Sequence, residues 1–165
     1  MRETAGEVYV IGNVLEASEI SLKENHIDIY KSLSAPATVT QIEELRIKCF
    51  SGTALPSDLV DLYKWHNGQS GSGPFNPKDN RTFLPIADVI DSWTFLNDPM
   101  EDILEPISKS WIPLLHNGAG DYLMLETQGN NEGKILAYWH DDIARSIEWN
   151  SLCEWVDNLL CVVQS

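Results

Sequence analysis

The stretch Trp111-Ile-Pro-Leu-Leu-His116, Asn117-Gly-Ala-Gly120, Asp121-Tyr-Leu-Met-Leu-Glu126, continued by Gly129-Asn-Asn-Glu-Gly133 and Lys134-Ile-Leu-Ala-Tyr-Trp139, decides the fold. Three apolar runs of strand length, separated by Gly/Asn clusters, predict consecutive antiparallel strands joined by short turns. Tyr122 to Leu125 and Ile135 to Trp139 are apolar at every position rather than alternating. That predicts strands covered on both faces, or lying mid-sheet beneath helices. The rest of the chain reads as cover for this sheet.

Downstream, His140-Asp-Asp142 predicts a turn and Ala144 to Glu148 one more short strand. Ser151-Leu-Cys-Glu154 has capping-box spacing, ahead of an amphipathic face of Leu152, Trp155, Val156, Leu159, Leu160 and Val163. Upstream, Asp88 to Leu96 predicts a helix with Val89, Trp93 and Leu96 on one face, stopped by Asn97-Asp-Pro99. Residues 69–81 are Gly/Ser/Pro/Asn-rich and predict a loop with one buried anchor, Phe75. Leu55-Pro-Ser-Asp58 opens a helix whose face carries Leu59, Leu62, Tyr63 and His66 and which Asn67-Gly68 ends. Thr40-Gln-Ile-Glu43 predicts the capping box of another, with Ile42, Leu45 and Cys49 inward and Gly52 at its stop. In the first 35 residues, Val8 to Ile11 predicts a short strand ending at Gly12-Asn13. Ile20, Ile27, Tyr30 and Leu33 then predict an imperfect helix ending before Ser34-Ala-Pro36.

A chain of 165 residues fits a single domain spanning 1–165, long enough for a hydrophobic core. A hydrophobic fraction of 43% with six tryptophans argues against disorder. No run approaches the ~20 apolar residues of a membrane helix. The acidic Met-Arg-Glu-Thr-Ala-Gly-Glu start lacks a secretory h-region, so a cytoplasmic location is expected. Cys49, Cys153 and Cys161 lack a CxxC spacing and all fall in predicted helices, so reduced, largely buried thiols are expected. Eleven Lys/Arg against 25 Asp/Glu give a net charge of −14. That disfavours nucleic acid and anionic membranes, which need a basic patch, and permits attraction to a basic protein.

The series Leu55-Pro56, Leu62-Tyr-Lys-Trp-His-Asn-Gly68, Phe83-Leu-Pro85, Trp93, Trp111-Ile-Pro113, Gly118-x-Gly-Asp-Tyr-Leu123, Gly133 and Trp139-His-Asp-Asp142, closed by the helix after Ser151, resembles the SUKH superfamily of the Smi/Knr type. The resemblance covers roughly residues 37–160, with 1–35 as an N-terminal extension packed on the domain. It implies an α+β domain, a mostly antiparallel sheet covered by helices. It also implies a non-enzymatic role. Bacterial members are typically immunity proteins that bind and neutralise a polymorphic or contact-delivered toxin, often a nuclease. Fungal members act as intracellular scaffolds in cell-wall signalling. The single-domain length is similar to the bacterial kind.

Among enzyme readings, His140-Asp141-Asp142 invites a metal site, since adjacent His and Asp ligate divalent ions. The remaining His26, His66 and His116 lie at unpatterned spacings, so no metal and no cofactor is expected. There is no Gly-x-Ser-x-Gly elbow, and Ser70-Gly-Ser-Gly73 lacks the Lys-Ser/Thr pair of a phosphate loop. The functional weight therefore falls on acids. Between Arg81 and Lys109 no basic residue occurs, yet Asp88, Asp91, Asp98, Glu101, Asp102 and Glu105 do. A solvated helix face is the bland reading. The functional one is a carboxylate surface for the basic groove of a cognate toxin, with Asp79, Asp141 and Asp142 in turns as secondary contacts. Trp65, off the Leu59/Leu62/Tyr63 face, packs under the 69–81 loop or serves as an interface anchor. The alternative partner is a cellular protein held by a scaffold module. The sequence carries no signature of an oligomeric state.

Overall fold

A computed structural model of the chain describes residues 10–163. Five strands, β1 (Thr82–Phe83), β2 (Trp111–His116), β3 (Tyr122–Glu126), β4 (Ile135–Tyr138) and β5 (Ile147–Trp149), form one sheet in sequence order, every pair antiparallel. Among the described residues six α-helices accompany them: α1 (Ile11–Asn25), α2 (Ile27–Ser32), α3 (Val39–Phe50), α4 (Ser57–Trp65), α5 (Ile86–Leu96) and α6 (Leu152–Val163). This is an α+β fold in a single domain, as the family resemblance implies, with the consecutive antiparallel strands that the central stretch predicts.

The continuous apolar runs have a direct structural cause. Successive strand residues point to opposite faces, so a run with no polar position needs two covers. Leu123, Leu125, Ile135 and Ala137 point into the main core with Leu59, Leu62, Val89 and Val156 from the helices. Met124, Leu136 and Tyr138 point the other way and meet Leu96, Ile103, Ile107 and Trp111. One face is thus roofed by helices and the other by the irregular segment after α5. Pro113 pairs with Met124 of β3 at a position that β1, paired only with Leu115 and His116, does not cover, and a residue without N–H is tolerated at such an edge. The register shifts between Pro113 and Leu115, and Leu114 stays buried.

The helix ends follow local chemistry. In α3 the capping box is Thr38 with Gln41, not Thr40 with Glu43: Gln41 N–H donates to Thr38 Oγ1 at 3.1 Å and Thr38 N–H to Gln41 Oε1 at 2.9 Å. Both pairs have the required spacing, and Glu43 instead pairs with Arg46. At α6, Glu154 N–H donates to Ser151 Oγ at 3.0 Å, while the Glu154 carboxylate takes the Asn150 N–H. Gly68, at φ 69°, lets the end of α4 press on Pro85. A Cβ there would lie 2.2 Å from the Pro85 nitrogen. The Tyr63 hydroxyl, donating to Leu84 O at 2.8 Å, ties α4 to the same segment.

Several expectations are corrected. Val8 and Tyr9 lie outside the described residues, and Ile11-Gly12-Asn13 opens α1 rather than ending a strand. The expected helix through Ile20 and Ile27 is two helices broken at His26, and both isoleucines are exposed. The buried stripe of α1 runs through Ile11, Val14, Leu15, Ser18 and Leu22. Ser18 is hidden there because its hydroxyl donates to Val14 O at 2.8 Å, and that small polar residue disguised the periodicity. The last strand starts at Ile147 rather than Ala144, and β1 is a two-residue edge too short to announce itself. Cys49 and Cys153 are buried, but Cys161 is exposed.

Candidate partner-binding surface

The acidic stretch splits at the end of α5. Asp88 and Asp91 are exposed on the helix itself, where Asp88 influences Tyr63 of α4 and Asp91 influences Lys48 of α3. Asp98 lies two residues beyond the end of α5. It begins the segment that roofs the second face of the sheet, which α5 reaches through Leu96. Leu96, Ile103 and Ile107 anchor that segment on Met124, Leu136 and Tyr138. Between the anchors, Glu101, Asp102 and Glu105 are exposed and Asp98 is half-buried. Two of these carboxylates also shape the loop: Asp98 Oδ1 accepts from Met100 N–H and Glu105 Oε2 from Ile107 N–H.

A cation that no reading of the stretch itself could supply sits beneath it. Arg145 donates from Nε to Pro106 O at 2.9 Å and from Nη2 to Leu104 O at 2.9 Å. Its Nη1 reaches the carbonyls of Trp139, Asp142 and Ala144, and the guanidinium lies 4.1 Å from the Tyr138 ring centroid. One side chain thus staples the acidic loop to the 139–144 turn. Its donors go to carbonyls, which leaves the loop carboxylates facing outward. Asp141 and Asp142 are exposed in that turn, so the structure brings them beside Leu104–Pro106.

Asp121 fixes the turn from the other side. Its Oδ1 accepts from the His140 backbone N–H at 3.0 Å and faces His140 Nδ1 at 2.8 Å, and its Oδ2 accepts from Asn117 Nδ2 at 2.7 Å. Burial by itself would raise the Asp121 pKa. The hydrogen bonds from His140 and Asn117 outweigh burial and hold the carboxyl below its ordinary value. The hydrogen bond to Asp121 in turn raises the His140 pKa. Gly120, at φ 94°, permits the approach, since a Cβ would stand 3.3 Å from His140 Cβ. Ligand atoms of Asp121, His140 and Asp141 lie within 4.8 Å of one another, a spacing a metal ion could use. Both Asp121 oxygens already accept from fixed donors, and His140 Nδ1 is spent on one of them. The geometry is that of a brace for the strand end, which an ion would have to take apart.

Between loop, turn and sheet lies a cavity of about 260 Å³ lined by Phe95, Asp102, Ile103, Tyr122, Tyr138 and His140, among others. Phe95 is half-exposed at its edge, and Met100 on the loop is 88% exposed. Both are large apolar side chains left in solvent among the carboxylates. The sequence reading missed them, although Phe95 and Met100 stand out as apolar residues in an acidic stretch.

Two expected residues fall elsewhere. Asp79 pairs with Arg81 at 3.2 Å, and Arg81 lies over Trp139. Trp65 packs under the 69–81 loop, with its ring centroid 4.7 Å from that of His66 and 6.3 Å from that of Phe75. Neither cysteine of the core is disposed to react, since burial pushes the Cys49 thiol to about 12 and Cys153 to about 11. Among the described residues no helix is long and apolar enough to cross a membrane.

A family model described as SMI1 / KNR4 family (SUKH-1) matches residues 36–158, which is 123 of the 165 residues. Comparison with curated proteins finds no match.

Proposed function

The chain belongs to the SMI1 / KNR4 family (SUKH-1), whose members are generally non-catalytic protein-binding domains of the immunity or regulator type. From that premise we propose that it is a cytoplasmic immunity protein that binds a cognate basic toxin, nuclease-like in its charge, and neutralises it by occlusion. The contact surface is the loop and turn carrying Asp98, Glu101, Asp102, Glu105, Asp141 and Asp142, with Phe95 and Met100 as its apolar centre. Asp88 and Asp91 flank it on α5, while Asp79 and Trp65 lie outside it. Neither nucleic acid nor membrane is a partner.

The observation that carries this reading is the loop architecture. Arg145 and the Leu96/Ile103/Ile107 anchors hold the backbone, so the carboxylates are displayed without being consumed by internal ion pairs. Opposite charge speeds encounter, and buried apolar anchors slow release. Capture from the native host tests it. The expected result is one small basic protein held at equal stoichiometry, with an association rate that falls as salt is raised. An assortment of signalling or cell-wall enzymes would overturn it in favour of a scaffold.

A further inference from the structure

We propose that the cavity beside Asp102 is a socket for a single arginine side chain of the partner, an inference that rests on the partner-binding reading above. At about 260 Å³ it falls below the ~300–1,000 Å³ of sites for drug-sized ligands and suits one long side chain. Its walls are apolar and aromatic, from Leu96, Ile103, Phe95, Tyr122 and Tyr138, and its rim carries the exposed Asp102 carboxylate. An apolar shaft with a cationic, planar head matches that order of surfaces: methylenes against the walls, guanidinium against the rings and the carboxylate. Lysine lacks the plane that stacks and the fork that grips a carboxylate. The fold already places one guanidinium over Tyr138, that of Arg145 at 4.1 Å, and the Tyr122 ring stands 6.3 Å from the Tyr138 ring. Arg145 already donates to five carbonyls, and the surrounding Asp98, Glu101, Glu105, Asp141 and Asp142 keep the surface attractive to a second cation.

The test is a nuclear magnetic resonance titration of the full chain with the capped peptide acetyl-Gly-Arg-Gly-amide. Shifts are expected to concentrate on Phe95, Asp102, Tyr122, Tyr138 and His140. The citrulline peptide, which keeps the shape and loses the charge, should not bind. Phe95→Ala is expected to weaken the arginine peptide roughly fivefold. Asp102→Asn is expected to weaken it about tenfold. Val39→Ala on α3 should leave it unchanged. Shifts spread over the whole acidic surface and matched by a lysine peptide would overturn the socket, as would tighter binding of a tryptophan peptide. If the peptide binds the cavity but the host yields no basic protein, the socket stands and the partner reading falls. If a basic protein is captured but the arginine peptide leaves the cavity resonances still, the socket falls alone.

Discussion

The two faces of the sheet are covered by different means. On one, Leu123, Leu125, Ile135 and Ala137 lock into helices whose inward residues, such as Leu59 and Leu62, are fully enclosed. On the other, Met124, Leu136 and Tyr138 lie under an irregular segment held by three aliphatic anchors and one arginine. Regular cover satisfies its own backbone and can spend its side chains on burial. Irregular cover must borrow donors, here from Arg145, and leaves its outward side chains free for recognition. On the reading proposed above, stability and recognition fall on opposite faces.

The largest effect that can break this comparison is in the core. Leu62→Ala on the helix face should cost ~2–5 kcal/mol in denaturant unfolding, with partner affinity per folded molecule preserved. Ile103→Ala on the loop face, where the anchor is only partly buried, should cost well under half as much. Equal losses would erase the distinction. Next in size, replacing Asp98, Glu101 and Asp102 by Asn, Gln and Asn should lower the association rate about tenfold and flatten its salt dependence. The same triple change should move unfolding by no more than ~0.5 kcal/mol. Removing the staple with Arg145→Met leaves the Leu104 and Pro106 carbonyls without their donor, at a cost of ~1–2 kcal/mol. Hydrogen exchange should then quicken in residues 104–107 while β2 to β4 stay protected.

The smallest effect is in pH. The Asp121 pKa is held below 3.8 and the His140 pKa above 6.5 in the fold. A depressed carboxylate stabilises above its unfolded value and loses that as pH falls through the folded one. A raised imidazole stabilises below its unfolded value and loses that as pH rises through the folded one. The stability difference between the parent chain and His140→Gln should therefore be greatest between pH 3.8 and 6.5 and shrink on either side. A difference that grows toward pH 8 would show that the ion pair is not what braces the turn.

Much of this was legible in the residues. The unbroken apolar runs at 122–125 and 135–139 demanded two covers, and two covers are present. The helix at 57–65 followed from its Leu-Pro opening and periodicity, and the helix at 152–163 from periodicity and the Ser151–Glu154 spacing. What escaped reading depended on distance along the chain or on hidden polarity. Arg145 reaches Leu104 across 41 positions, and no local pattern encodes that. Ser18 interrupts the apolar stripe of α1 because its hydroxyl finds Val14 O only once the helix exists. For the surface, the acids were visible as composition, but their division between α5 and the loop depended on where the helix ended. The cavity needed Tyr122 and Tyr138 to be neighbours on one face, which the strand register alone supplies.

A hydrogen-exchange footprint of the chain with its captured partner tests the division of labour most directly. Slowed exchange should concentrate in residues 97–105 and 138–144 and spare the outer face of α3, where Val39 and Ile47 are exposed. Protection centred on α3, with the acidic loop exchanging as in the free chain, would contradict the assignment of recognition to the loop-covered face.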